Sequence, residues 1–236
     1  MTDYSRSNIL LPHFEEAEAF LTALAGQDAQ FTFQTFDDVE VWDEAKQKTV
    51  KRADKSLLSI KQGTFDQHKN ALAAINKRGG GIFVTINETD LKGRSLANML
   101  KVRALFVDLD GSPLQPILDL PEDLQPHIII ESSPNRWHAY WLVNNCELDQ
   151  FKPLQQALAA LFDGDKQVCD LPRVMRLAGF SHNKGESFIT RIHTMQDSLA
   201  PYSVNKLIVG LGLNNDKKPK SQAAIVAISA IDDDFT

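Results

Sequence analysis

The sequence predicts an α+β domain that contains a mixed or antiparallel sheet. Strand patterns and helix patterns are interleaved along the chain, and two strand patterns in the middle flank a short turn-like segment, which indicates a hairpin. The regular strand–helix–strand repeat of a doubly wound fold is missing. With 236 residues, the chain is long enough for one large domain or for one domain with a small appendage.

In the N-terminal part, apolar residues recur at helical spacing in two segments, and the second helix is expected to stop at Gly79–Gly81. Residues 31–36 alternate in the manner of a strand, and residues 82–86 form a short apolar run. The charged stretch from Asp43 to Lys55 is only weakly periodic. The predicted elements of this part are helix 12–25, strand 31–36, helix 65–77 and strand 82–86.

The central part gives the clearest patterns. Residues 103–110 form a buried strand that acquires carboxylates at its end, and Ser133–Arg136 makes a good hairpin loop. After Gly212 the chain is polar and resembles a linker, followed by an apolar stretch and three aspartates, so residues 212–236 are interpreted as a linker or tail. The predicted elements of this part are strands 103–110, 127–133 and 137–143, helix 148–162 and strand 187–193.

Composition indicates an ordinary globular protein, with 43% hydrophobic and 24% charged residues. No apolar run approaches the roughly 20 residues of a membrane span, and the first residues lack the features of a signal peptide, so cytoplasmic residence is expected. A zinc site from Cys169, His182 and His193 fits no standard spacing, and no zinc is predicted.

The net charge of −6 argues mildly against a nucleic-acid partner. The acidic residues are concentrated in the first helix and in the tail, whereas cations gather around the motifs discussed next. A local basic groove on an acidic body is sufficient for phosphate contacts. The cations around the motifs are Lys92, Arg94, Lys101, Arg103, Arg136, Arg173, Arg176 and Lys184.

The segment Phe106–Gly111 carries the strongest chemical signal. Because side chains alternate along a strand, Asp108 and Asp110 point to the same side. Two carboxylates at a strand end can hold hard divalent cations, which activate a hydroxyl and neutralise a leaving pyrophosphate in phosphoryl transfer. The plainer interpretation is a strand that ends in a polar Asp-Gly turn.

Two further motifs follow. His138 lies on the strand after the hairpin and is able to donate a hydrogen bond to a phosphate, although a lone strand histidine is more often a structural one. Trp137, beside the loop, is a candidate for base stacking. Asp170 precedes two cations, Arg173 and Arg176, so this stretch offers a third carboxylate and a clamp for a triphosphate, or only surface ion pairs.

The order of these motifs resembles that of the archaeo-eukaryotic primases, and most closely the RepB-like primases of plasmids and phages. Asp108 and Asp110 match the family's paired acids, His138 its second motif, and Asp170 its third acid. The run Asp170–Gly179 is similar to the segment that carries the third motif, except that Ala178 stands where relatives usually have proline. The similarity covers roughly residues 30–195.

The resemblance implies a primase catalytic core within residues 1–211, in which an N-terminal α/β unit (about 1–100) packs on an RRM-like sheet (about 101–211). It implies primer synthesis on single-stranded DNA from NTPs or dNTPs, with a replicative helicase or an initiator protein as a possible partner and no membrane. The metal ligands for Mg²⁺ or Mn²⁺ would be Asp108, Asp110 and Asp170. The nucleotide-binding residues would be Ser133, His138, Arg173, Arg176 and Lys184, and the DNA-binding residues Arg94, Arg103, Arg136 and Trp137.

Two alternatives remain open at this stage. Residues 107–112 fit the nucleophile loop of haloacid-dehalogenase phosphatases, in which Asp108 would attack phosphorus and Asp110 would act as acid and base. That loop normally opens its domain, whereas here more than a hundred residues precede it. The other alternative is a non-catalytic module that binds single-stranded nucleic acid through exposed aromatic residues.

Overall fold

The computed structural model describes residues 10–196 and 199–213 of the chain. Most of the predicted tail, residues 214–236, lies outside the described residues. No helix in the described ranges is long and apolar enough to cross a membrane. The helices are α1 (Phe14–Ala25), α2 (Phe65–Lys77), α3 (Gln115–Leu118), α4 (Leu148–Leu161) and α5 (Val204–Gly210).

The three long helices lie where the apolar spacing predicts them. Helix α2 begins with a capping box, in which the Thr64 hydroxyl accepts from the Gln67 backbone N–H and the Gln67 side chain accepts from the Thr64 N–H. Helix α5 was not predicted. Its seven residues are too few for a periodic pattern, and the Ser203 hydroxyl caps it by accepting from the Lys206 N–H.

The described strands form two main sheets and three two-stranded hairpins. In chain order they are β1 (Gln30–Asp37), β2 (Glu40–Asp43), β3 (Lys48–Lys51), β4 (Ser59–Thr64), β5 (Gly80–Thr85), β6 (Glu88–Thr89), β7 (Met99–Lys101), β8 (Ala104–Leu109), β9 (Ile128–Ser133), β10 (Arg136–Asn144), β11 (Val174–Arg176), β12 (Ser181–His182), β13 (Phe188–Ile189), β14 (Arg191–Met195) and β15 (Tyr202–Ser203).

The first sheet is antiparallel and has the strand order β11-β5-β1-β4. One of its faces carries apolar side chains that are almost fully buried, among them Phe33, Val84 and Met175. Helix α2 covers this face, and Phe65 of α2 contacts Phe33 with ring centroids 6.4 Å apart. The opposite face, with Phe36 and Phe83, is less covered.

The second sheet is also largely antiparallel. Strand β10 lies between β8 and β9, β14 pairs with the other edge of β9, and β15 adds one parallel pair at the end of β10. The apolar run Ile128–Ile130 and the rings of Tyr140 and Trp141 are buried here, and Trp141 stacks on Phe162 at 5.7 Å. The prediction of an α+β fold with a mixed or antiparallel sheet is confirmed.

Two local predictions differ from the structure. The strand predicted over residues 187–193 is two strands, because β13 pairs with β12 whereas β14 joins the second sheet. Buried Thr190 separates them, and its hydroxyl donates to the Ser132 carbonyl. The weakly periodic stretch after Asp43 belongs to the β2–β3 hairpin, whose side chains are mostly exposed and therefore leave no apolar pattern.

The chain crosses between the two sheets. Strand β11 follows α4 in sequence, yet it pairs with β5 in the first sheet. A single cluster of buried apolar side chains extends from α1 to residue 213 and includes residues of both sheets. The predicted division near residue 100 therefore separates two sheets that share one core, and one strand from the second part of the chain belongs to the first sheet. The boundaries of the two units stay a prediction.

Candidate active site

The paired acids lie at the end of β8, next to a histidine of β10. Asp108 is opposite His138 in the antiparallel register, so the two side chains lie on the same face of the sheet. His138 Nε2 is 3.7 Å from Asp108 Oδ1. Asp110 follows the last residue of β8, and Arg136 Nη1 lies 2.8 Å from its Oδ1. The hairpin loop predicted at 133–136 thus brings a cation onto the second acid.

The environment of Asp108 opposes its negative charge. Burial raises the pKa of this carboxyl, the nearby charges of Asp110 and Asp165 raise it further, and Arg136 and Arg173 only partly offset them. The resulting pKa is about 6. Carboxylates held this close repel one another, so the site gains from an added cation.

His138 is held neutral. Burial lowers its pKa to about 3, and Arg176 contributes in the same direction while Asp110 opposes it. A neutral imidazole has one N–H donor and one acceptor nitrogen. Its Nδ1 lies 3.2 Å from the Tyr140 hydroxyl, whose pKa burial raises well above the usual value, so that the phenol keeps its proton.

These contacts favour one tautomer of His138. If the Tyr140 hydroxyl donates to Nδ1, the imidazole proton is on Nε2 and points toward the Asp108 carboxylate. The other tautomer would place an Nε2 lone pair against a carboxylate oxygen, which is unfavourable. The site therefore presents an uncharged N–H donor beside the paired acids.

The third predicted acid is engaged elsewhere. The carboxylate of Asp170 is half-exposed and forms an ion pair with Arg173. Among the described residues, no three His, Cys, Asp or Glu side chains lie close enough to hold a metal ion. The structure therefore brings Asp108, Asp110 and His138 together but turns Asp170 onto a cation, and its role as a ligand stays a prediction.

Sequence reasoning missed Asp165. Its backbone N–H donates to the Asp108 carbonyl at 2.8 Å, and its charge is among those that raise the Asp108 pKa. The residue lies in the loop after α4, within Asp163-Gly-Asp165, which looks like an ordinary polar turn. Only the pairing of this loop with the end of β8 reveals its proximity.

Asp38 was also missed as a site residue. Both of its carboxylate oxygens accept from Arg176, each at 2.8 Å, and Asn183 N–H donates to it at 2.9 Å. Burial raises the pKa of Asp38, but these bonds outweigh it and leave the pKa below its usual value. The guanidinium of Arg176 lies 4.8 Å from the centre of the Phe83 ring. Arg176, predicted to bind nucleotide, is thus fixed by a partner 138 positions away.

The other predicted nucleotide-binding residues are placed as follows. Arg173 contacts the Asp170 carboxylate and the Gln167 carbonyl, and its Nε is buried without a hydrogen-bond partner. Lys184 Nζ is 3.6 Å from Glu40 Oε1. Ser133 is buried at the end of β9, beside the hairpin turn.

Of the predicted DNA-binding residues, Arg136 contacts the paired acids through Asp110. Arg94 lies near Arg173, because Arg94 Nη1 donates to the carbonyl of the preceding residue, Pro172, at 2.9 Å. Trp137 is half-buried with its ring edge against His193. Arg103 stacks on Phe31 at the start of β8, about 17 Å from Asp108 at 3.3 Å per strand residue. The structure does not bring Arg103 to the paired acids.

Comparison with known proteins gives one family match. Residues 92–204 match the family model of the RepB DNA-primase N-terminal domain. This part of the chain is therefore similar to RepB-type primases. The matched range contains the paired acids, His138 and Asp170, and the match supports a DNA primase function. No curated protein matches the sequence.

Solved structures of primases share the fold. The archaeo-eukaryotic primase domain of the primase-polymerase from cyanophage S-2L has a TM-score of 0.58 at 17% identity, with 81% of this chain and 95% of that chain covered. The catalytic domain of the primase RepB′ in complex with initiator DNA has a TM-score of 0.54 at 16% identity, with 79% and 86% covered. RepB′ itself gives 0.56 at 16% identity, with 79% and 57% covered. The predicted fold, that of a primase catalytic core, is confirmed.

Proposed function

We propose that this chain is a DNA primase, which joins nucleotides on a single-stranded DNA template at the site formed by Asp108, Asp110 and His138. The observation that carries the proposal is the facing arrangement of Asp108 on β8 and His138 on β10, with Asp110 beside them. Two carboxylates for a cation and one neutral donor for a phosphate are the groups that phosphoryl transfer needs.

The donor set fits a hard divalent cation, Mg²⁺ or Mn²⁺. Asp108 and Asp110 supply oxygen ligands, and burial together with the charge of Asp110 raises the Asp108 pKa, a cost that a bound cation would offset. When bound, such a cation would activate the attacking 3′-hydroxyl and offset the charge of the phosphates. Asp170 would become the third ligand if its carboxylate left Arg173, and Asp165 is the other nearby acid.

His138 is proposed to bind the triphosphate of the incoming NTP or dNTP. With the imidazole neutral and its proton on Nε2, the ring donates a hydrogen bond without needing a counter-ion. Ser133 lies one strand away, at the hairpin turn that carries Arg136. Ser133 is proposed as a further donor to the phosphates because of its place in this turn.

The cations divide into two groups in this proposal. Arg136 and Arg173 contact the acids Asp110 and Asp170, so they can exchange a carboxylate for a phosphate when a nucleotide enters. The unpaired Nε of Arg173 supports that role. Arg176 is held bidentately by Asp38, and Lys184 lies near Glu40, so we assign Arg176 to positioning and electrostatics.

The wider setting of the reaction also belongs to the proposal. A plasmid or phage replication system, a cytoplasmic location and a helicase or initiator partner are consistent with a RepB-type primase domain. The catalytic domain of RepB′ forms a complex with initiator DNA, which supports a DNA template as the binding partner here.

The test is primer synthesis on unprimed single-stranded DNA with labelled nucleotides and Mg²⁺ or Mn²⁺. The wild type is compared with the double variant Asp108→Ala, Asp110→Ala. The matched control is Asp119→Ala with Glu122→Ala, which removes two exposed acids from the segment that follows β8. We expect metal-dependent products from the wild type and the control and none from the double variant.

Two other outcomes would contradict the site. Unchanged synthesis by the Asp108 and Asp110 double variant would move the chemistry to other residues. If the wild type made no product and extended no annealed primer, while it bound single-stranded DNA equally well without metal, the non-catalytic binding module would be favoured instead.

A further inference from the structure

The first sheet has an open face that the candidate site does not explain. The register of β1 with β4 and β5 places Gln34 opposite Ile60 and Phe83, and that of β5 with β11 places Phe83 opposite Arg176. Side chains that pair across a sheet point to the same side. One row of this face therefore consists of Ile60, Gln34, Phe83 and Arg176. Gln34 is only 3% exposed in this row and is contacted by Arg94, so the exposed apolar residues lie on either side of it.

A second row adds Phe36, two residues after Gln34 in the same strand and thus on the same side. Phe36 and Phe83 are half-buried and touch edge to face, with ring centroids 5.4 Å apart. Ile60 is 52% exposed and Leu58, which precedes β4 in extended backbone, is 57% exposed. We define Phe36, Leu58, Ile60 and Phe83 as the open face.

An apolar surface of this kind costs free energy while it stays in water, and contiguous exposed apolar residues usually mark a binding surface. The opposite face of the same sheet shows the contrast, because Phe33, Ile82 and Val84 are at most 1% exposed beneath helix α2. Two aromatic rings on a sheet, next to exposed aliphatic side chains, form a platform on which bases can stack.

Positive charge borders the open face. Arg94 donates to the Gln34 side chain and to the Pro172 carbonyl, and both acceptors are neutral. Within the described ranges no carboxylate lies within 4 Å of Arg94, so its charge is not compensated there. The guanidinium of Arg176 covers one side of the Phe83 ring. A nucleic-acid strand with its bases on the apolar residues and its phosphates toward Arg94 would match this arrangement of apolar and positively charged side chains.

The open face also continues into the candidate active site. Arg94 donates to the Gln34 side chain on this sheet face and to the Pro172 carbonyl, which lies between Asp170 and Arg173. A template base must lie beside the incoming nucleotide in order to pair with it. A strand that follows the open face past Arg94 would reach the segment that carries Asp170 and Arg173.

We propose that the open face binds single-stranded DNA, with bases of the template stacked on Phe83 and Phe36 and packed against Ile60 and Leu58. The inference rests on the proposed function for its choice of partner. It replaces Arg103 and Trp137 as the main DNA contacts, since Arg103 lies at the far end of β8 and the Trp137 ring packs on His193.

The test measures binding of a fluorescently labelled oligothymidylate to the full chain by anisotropy, without nucleotides. The variants are Ile60→Glu, which puts a charge on the open face, and Phe83→Leu, which removes the aromatic ring but keeps an apolar side chain. The control is Val209→Glu on α5, where the valine is 76% exposed and away from the first sheet. Loss of base stacking in Phe83→Leu and the added negative charge in Ile60→Glu are each expected to raise the Kd about tenfold. The Kd of the control is expected to stay within about twofold of the wild type.

A second measurement keeps the proposal falsifiable if Phe83→Leu fails to fold. An oligonucleotide that contains 5-iodouracil is photo-crosslinked to the wild type, and the attached peptide is identified by mass spectrometry. Adducts in β1 or β5, at Phe36 or Phe83, would support the proposal. Adducts confined to other segments, or a Kd for Ile60→Glu equal to that of the control, would overturn it.

The binding experiment separates this proposal from the proposed function. A wild type that binds oligothymidylate through the open face but makes no primer would sink the catalytic assignment and leave the binding surface intact. If the wild type makes primers and both open-face variants keep the wild-type Kd, the catalytic assignment would stand and the binding surface would be overturned. A wild-type dimer that dissociates in Ile60→Glu, with DNA binding unchanged, would identify a second copy of the chain as the occupant and overturn the DNA proposal.

Discussion

The side-chain amide of Gln155 pairs with the backbone of Phe106 as a neighbouring strand would. Its Oε1 accepts from the Phe106 N–H at 2.8 Å, and its Nε2 donates to the Phe106 carbonyl at 2.7 Å. The same Nε2 also donates to the Val168 carbonyl. Helix α4 thus provides hydrogen-bond partners for backbone groups on the unpaired edge of β8, the strand that leads to the paired acids. These bonds fix the position of β8 along the helix.

We predict that Gln155→Leu destabilises the protein. The substitution keeps a similar volume but leaves the buried Phe106 N–H and two carbonyls without their partner, at a cost of about 2–4 kcal/mol. Urea denaturation of both variants measures the difference, with Gln156→Leu as the control because its side chain is exposed on the same helix. Equal midpoints for Gln155→Leu and Gln156→Leu would show that β8 does not depend on this amide.

Tyr140→Phe tests the tautomer of His138. The phenyl ring fills the same buried space, but the hydroxyl that donates to Nδ1 is lost. Losing a neutral hydrogen bond of about 1 kcal/mol corresponds to a decrease of about fivefold in the rate of nucleotide addition. Single-turnover primer extension measures the rate, and a thermal melt checks that the fold is retained. A rate equal to that of the wild type would mean that the imidazole is oriented by its packing alone.

Asp108→Asn is expected to stabilise the metal-free protein at pH 8. The pKa of Asp108 is raised from 3.8 to about 6, so its favourable contribution exists below pH 4 and is lost as the pH rises through 6. At pH 8 the ionised carboxylate therefore costs stability, on the order of 1–3 kcal/mol, which the amide avoids. Melting temperatures of wild type and variant at pH 8 and pH 4 should differ more at the higher pH.

Metal provides the matching experiment. Mg²⁺ or Mn²⁺ should raise the melting temperature of the wild type, since a ligand that binds only the folded state stabilises it, and it should raise that of Asp108→Asn less. A variant that melts below the wild type at pH 8 without metal would contradict the assigned repulsion among Asp108, Asp110 and Asp165.

The pair Asp38–Arg176 is predicted to stabilise the folded protein by joining the end of β1 to β11. Arg176→Met leaves Asp38 buried with only the Asn183 N–H as a donor, and the loss of one partner from such a pair costs about 3–5 kcal/mol. Adding Asp38→Asn removes the stranded charge and should recover much of that loss. A double-mutant cycle in urea gives the coupling energy, and additive effects of the two substitutions would argue that the ion pair contributes little.

Much of the fold was predictable because the long elements carry strong periodic patterns. Helices α1, α2 and α4 and the strands β8 and β9 each present an apolar stripe or run. The turn at Pro134–Asn135 is signalled by its own residues. Short elements failed for a physical reason. Strands of two or three residues, such as β11 and β15, owe their pairing to distant segments and not to local pattern.

The site was predictable where its residues lie on one strand or on adjacent strands. Asp108 lies on β8, Asp110 follows its last residue, and His138 comes from the hairpin that follows, so alternation and register place all three together. Asp38 and Asp165 were not predictable, because their positions depend on contacts between segments far apart in sequence. The local sequence of a polar turn is the same whether its carboxylate faces solvent, pairs with an arginine 138 positions later or lies beside another acid.

The short strand β11 has a consequence for how this protein can be dissected. Its three residues lie inside the range that matches the family, yet their hydrogen-bond partner is β5, which lies before that range begins. A shortened protein containing only residues 92–204 would carry β11 as an orphan edge and leave the apolar cluster without α1 and α2. The segment that matches the family is therefore shorter than the segment that is needed for folding. The ends of an expressed fragment should be chosen so that both strands of each pair are included.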